Sequence, residues 1–163
     1  MSRIQARLES LQQQGRKALI PFITAGDPDA ATTEALLDGL VDAGVDFIEL
    51  GMPFSDPMAD GPVLQRAAER SLARGTNLTA VLDLVARLRA KTEIPIVLFG
   101  YANPFLQFGA EALASALAAA GGVEIPNPTP IGSFVSARIC PTSAAIGSAC
   151  TCLSPVTPAT ETK

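Results

Sequence analysis

DFIELGMPFSDPMADGP, residues 46–62, decides how this chain is read. It completes a short apolar strand, Val45 to Leu50, that contains one acid, Glu49, and breaks at Gly51. Pro53, Pro57 and Pro62, with Gly51 and Gly61, then shape a loop that carries Asp56 and Asp60. Proline fixes φ and glycine permits unusual φ, so such a loop has a specified shape despite its length. A strand buried on both faces rarely carries a carboxylate. The carboxyl ends of such strands are where α/β folds gather their functional groups.

Outward from this stretch the chain repeats strand, loop and helix. Residues 2–14 place Ile4, Leu8 and Leu11 at helical spacing, with Gly15 as the stop. Residues 18–24, ALIPFIT, predict a buried strand that Pro21 makes irregular. Asp27 is expected to cap the next helix and Pro28 to open it. That helix shows Leu36, Leu37, Leu40 and Val41 as its stripe and ends at Ala43-Gly44. After the second strand, Asp60-Gly61-Pro62 reads as another cap-and-proline start, for a helix with Leu64, Ala67, Ala68 and Leu72. Thr76 or Asn77 caps a further helix with Leu78, Val81, Leu82, Val85 and Leu88. A third strand covers 94–99, residues 100–104 are its loop, and Glu111 to Ala120 form the next helix. The period predicts an α/β chain with parallel strands and right-handed crossovers. Ala43-Gly44-Val45-Asp46 is echoed by Ala120-Gly121-Gly122-Val123-Glu124, which should enter a fourth strand. Pro126, Pro128 and Pro130 cannot all continue it.

Composition bounds the function. The 163 residues suffice for one domain with a core, and 48% of them are apolar. Net charge is −4 and no basic patch accumulates, so nucleic acid and anionic membranes are poor partners. No run reaches a membrane span and no signal pattern opens the chain, which predicts a cytoplasmic protein. There is no histidine, which excludes histidine-ligated zinc and Ser/His or Cys/His nucleophile pairs. Acid–base work falls to carboxylates. Residues 123–163 differ in kind from 1–122. They hold four charged residues, six of the 13 prolines and all three cysteines. An irregular tail is expected there, with a short strand or turn near Phe134. Cys140, Cys150 and Cys152 lack the spacing and the fourth ligand of a zinc site, and no metal is expected.

Each acid admits two readings. Alternation puts Val45, Phe47 and Glu49 on one face; at the mouth of a closed sheet Glu49 would be equipped to hold or donate a proton. Otherwise it is an acid at the core edge, paired with a lysine. Asp60 is a helix N-cap or a second site acid, and Asp56 a turn former. The three together could hold magnesium. Phe22 and Tyr101, at strand ends, could wall the same mouth. Two carboxylates beside an aromatic wall suit proton transfers on an aromatic substrate.

PFITAGDP (21–28), VDAGVDFIELGMPFSDPMADGPVLQRA (41–67) and PIVLFGYANP (95–104) resemble the tryptophan synthase alpha chain family. The likeness covers residues 1–122 and stops there. It implies the N-terminal part of a TIM (β/α)8 barrel, about three and a half units, incomplete in this chain. It also implies a lyase that splits indole-3-glycerol phosphate into indole and glyceraldehyde 3-phosphate in tryptophan biosynthesis. By motif the catalytic residues fall on Glu49 and Asp60. Phe22, Phe99 and Tyr101 fall around the indole. The loop from Pro53 to Asp60, including Asp56, with Asn103 and Pro104, falls on the surface that meets a beta chain in an alpha2–beta2 assembly. Pyridoxal phosphate belongs to that beta chain, and no cofactor is implied here. The family's later units, with its phosphate-binding loops, have no counterpart after residue 122, as a reading-frame change would leave it. A chain of this extent is expected to be marginally stable and to have little lyase activity. Other readings are a remnant that keeps only the partner-binding elements, or another phosphate-handling TIM-barrel enzyme. An open flavodoxin-like sheet is the alternative architecture.

Overall fold

The computed structural model describes residues 3–121. Along them run α1 (Arg3–Gln13), β1 (Phe22–Thr24), α2 (Ala30–Asp42), β2 (Ile48–Gly51), α3 (Pro62–Ala73), α4 (Leu78–Arg89), β3 (Ile96–Phe99), α5 (Ala102–Phe108) and α6 (Ala110–Ala119). The strands pair in parallel in the order β1-β2-β3. This is consecutive βα winding, the start of a (β/α) barrel that these residues do not close. The fourth strand expected from Val123, the tail and its three cysteines lie outside the described residues.

One face of the sheet is sealed by helices. Ile48, Leu50, Ile96 and Leu98 are almost completely buried against Leu37, Val81, Val85, Leu88 and Leu117. The other face carries Phe22, Glu49 and Val97 in one row, because Phe22 pairs with Glu49 and Glu49 with Val97. Phe22 remains 37% exposed and the other two half-buried. In a closed barrel that face is interior; among the described residues no helix covers it. Val45 departs from the alternation read in the sequence. Pairing begins only at Ile48, and Val45 belongs to the helix-side core.

Local chemistry explains the boundaries. β1 is shorter than expected because Pro21 has no N–H for the ladder. Its carbonyl still accepts the Glu49 N–H at 2.9 Å. Asp29, not Asp27, caps α2, taking the Thr32 N–H at 2.8 Å. Asp27 instead forms a two-pronged pair with Arg70 of α3, at 2.7 and 2.8 Å. Asn77 caps α4. Residues 102–104, expected as part of a loop, begin the helix α5. Pro104 sits in the first turn of α5, where backbone N–H groups have no intrahelical partner to lose.

The end of β1 is locked to α3 and α2. The buried Ser71 hydroxyl donates to the Ala25 carbonyl, and Thr33 Oγ1 accepts the Gly26 N–H at 3.0 Å. Gly26 has φ +78°, and a Cβ there would lie 2.1 Å from Thr76 Oγ1. Gly26→Ala is therefore expected to cost about 2 kcal/mol from the left-handed backbone and the displaced hydroxyls. An unchanged urea midpoint would contradict this account.

Candidate active site

A cleft opens at the carboxyl ends of the three strands. It has a volume of about 150 Å³ and is lined by Phe22, Glu49, Phe54, Asp60, Leu64, Phe99 and Tyr101 among others. The five residues expected as catalytic or substrate-binding thus meet in one place. Phe22 stands level with Glu49 at the start of its strand, not at the strand end as read from sequence. Its ring reaches upward because residue 51 is glycine. A Cβ at Gly51 would lie 2.4 Å from Phe22 Cζ. The ring meets Phe99 edge-on, with centroids 6.2 Å apart and planes at 88°. One missing side chain thereby creates an apolar slot for a flat ring.

Glu49 rises from the floor of this slot, half-buried, and no hydrogen bond among the described residues restrains its carboxyl. Asp60 approaches from the loop between β2 and α3. It is not a helix cap: Gly61 occupies the N-cap position of α3, with no side-chain capping bond. Burial raises the pKa of Asp60, and a hydrogen bond from Tyr101 works against that rise. A carboxylate stripped of part of its water is a stronger acceptor for an N–H group.

Sequence reading missed two wall residues. Phe54 stacks on Tyr101, with centroids 5.1 Å apart and planes at 30°. Leu64, in the first turn of α3, closes the side near Asp60. Leu64 had been read only as part of a helix stripe. Phe54, inside the proline-rich loop, gave a usable signal: an aromatic residue three positions after the strand's last paired residue. Asp56 is exposed and does not line the cleft, so Glu49, Asp56 and Asp60 do not converge as a magnesium site would require. Pro53 is buried in the cleft wall, Asn103 is exposed and Pro104 half-buried. No helix among the described residues is long and apolar enough to cross a membrane.

Comparison with known proteins places this geometry. The family model described as "Tryptophan synthase alpha chain" matches residues 8–126. A tryptophan synthase alpha chain from Dechloromonas aromatica is 62% identical over 123 residues, covering 74% of this chain and 46% of that protein. One from Citrifermentans bemidjiense is 58% identical over 121 residues, covering 74% and 45%. Among solved structures, tryptophan synthase subunit alpha from Legionella pneumophila superposes with a TM-score of 0.73 at 46% identity, covering 75% of this chain and 47% of that one. Tryptophan synthase from M. tuberculosis, in an aminoacrylate-bound form, gives 0.73 at 36% identity, covering 80% and 54%. The chain spans less than half the length of these curated relatives. On the family-model match over residues 8–126, the sequence identity and the superposition, this chain belongs to the tryptophan synthase alpha chain family.

Proposed function

We propose that this chain carries the acid–base and ring-binding part of a lyase site that cleaves indole-3-glycerol phosphate by a retro-aldol reaction. The observation that supports it is the convergence of Glu49 and Asp60 on an aromatic slot sized for a flat ring. Glu49 protonates the ring carbon that bears the glycerol side chain. The bond to that side chain then breaks, its electron pair returning to the ring, as the side-chain hydroxyl proton passes to the Glu49 carboxylate just formed, giving indole and an aldehyde. Asp60 accepts the ring N–H and stabilises the positive charge that develops on the ring. The exposed face of the loop at Asp56 and Met58, with Asn103, is the part proposed to meet a beta chain.

Among the described residues, the cleft lining contains two carboxylates and no lysine or arginine to meet the substrate's phosphate. The chain is therefore expected to bind indole-3-glycerol and its phosphate ester with affinities within about threefold of each other, because the phosphate adds no charge-assisted contact. Calorimetric titration with both compounds measures this. A preference of tenfold or more for the ester would show a phosphate site elsewhere in the chain. An indole-release assay with and without a beta chain tests the lyase reading itself. Co-elution with the beta chain without any turnover would favour the partner-binding remnant instead.

A further inference from the structure

Tyr101 carries more structure than a wall residue needs. It sits between the end of β3 and the start of α5, at the N-cap position of α5, with only 6% of its surface exposed. Its side chain makes no capping bond and turns to the preceding loop. There its ring stacks on Phe54, and its hydroxyl oxygen accepts the Ala59 N–H at 2.8 Å. The next residue is Asp60, whose pKa burial raises and the Tyr101 hydroxyl works to lower. An anchored phenol thus grips the loop at two points, one of them next to the acid that the loop carries.

We infer that Tyr101 is a positioning residue for Asp60, holding the 52–60 loop by its stack on Phe54 and by a hydroxyl that accepts the Ala59 N–H, one residue before Asp60. The loop's other ties are made by its backbone: Met52 to Phe99, Met58 to Asp56, Asp60 to Pro57, and Gln65 to the Pro57 carbonyl. Gln65 Nε2 donates to the Asp60 carbonyl at 2.9 Å, which fixes the backbone but leaves the carboxyl free to turn. Ala59, Met58 and Asp56 are exposed, so packing does not hold this segment. Tyr101 supplies what packing omits, and it links the proposed partner-facing loop to one of the two site acids. The inference rests on the reading of Asp60 as that acid only for its catalytic meaning. The grip itself is a property of the substrate-free chain.

The test uses the whole 163-residue chain without substrate, so it separates this inference from the lyase reading. Tyr101→Phe keeps the ring stack and removes only the hydroxyl. Carbon-13 titration of the Asp60 carboxyl should move to higher pH in this variant, because the hydrogen bond that favours the ionised form is gone. Hydrogen exchange at the Ala59 amide, readable on dilute protein, should quicken roughly fivefold, the worth of one ordinary hydrogen bond. Asp60→Asn, which disturbs no core contact, should shift the Tyr101 ring-carbon resonance next to the hydroxyl. An unmoved Asp60 titration and unmoved Ala59 exchange in Tyr101→Phe would overturn the inference. An unmoved Tyr101 resonance in Asp60→Asn would do the same. Loss of indole release with these readouts unchanged would assign Tyr101 to substrate contact alone.

Discussion

Glu49→Gln is expected to lower indole release by at least about 10²-fold while leaving the thermal midpoint unchanged. The two halves of this expectation have separate causes. Glutamine has the same shape and polarity but no proton to give to the ring carbon, so the proposed general acid is lost. Nothing structural is lost with it. The Glu49 side chain makes no hydrogen bond among the described residues and sits half-buried at the open face of the sheet. Asp60→Asn should do less harm to the same reaction. The amide oxygen can still accept the ring N–H, and only the stabilising charge disappears. The measurement is release of indole from its glycerol phosphate, with the beta chain present, at matched protein concentration. Equal release by Glu49→Gln and the parent chain would remove Glu49 from the mechanism.

The fold and much of the site were readable from sequence because both rest on local patterns. Apolar periodicity located the three strands and most of the helices. Gly15 and Gly44 marked helix ends and do adopt positive φ, at 64° and 78°. The errors came where a residue type has two uses. Pro104 looked like a loop former but occupies a first helical turn, where its missing N–H costs little. Asp27 and Asp29 flank Pro28, and the usual cap-then-proline order chose the wrong one. Only contact with Arg70, 43 positions away, explains Asp27. Asp60 was open between cap and site acid. Gly61 took the cap position, and the carboxyl was left to the cleft. The aromatic slot was the least legible part. Phe22 and Phe99 were named separately, but their edge-on contact depends on the parallel register and on the absent side chain at Gly51.

Asp46 is the clearest case of a residue whose role no local pattern reveals, and its removal should be the most damaging substitution for stability. It precedes β2 and is 1% exposed. One carboxyl oxygen takes the Leu19 N–H at 2.8 Å and the other takes Arg7 Nη2 at 2.6 Å, with Arg16 4.0 Å from the latter. This one side chain therefore fastens α1 and the approach to β1 onto the sheet. Asp46→Ala leaves a backbone N–H and a guanidinium without their acceptor. Arg7 is partly solvated and regains some water, so the cost is expected near the low end for a broken buried pair, about 3 kcal/mol. Against the marginal stability of a small α/β unit with one face uncovered, that should unfold most of the chain at 37 °C. The same contacts fix the pH dependence. The Leu19 N–H, followed by Arg7, depresses the Asp46 pKa more than burial raises it. A depressed carboxyl pKa gives stability that is fully present above the unfolded value of about 3.9. It is lost as pH falls through the lower folded value. Urea midpoints taken downward from pH 6 should hold until about pH 4 and then fall, and Asp46→Ala should remove this share of the fall. A parent chain and variant with parallel curves below pH 4 would show that Asp46 is not what ties α1 to the sheet.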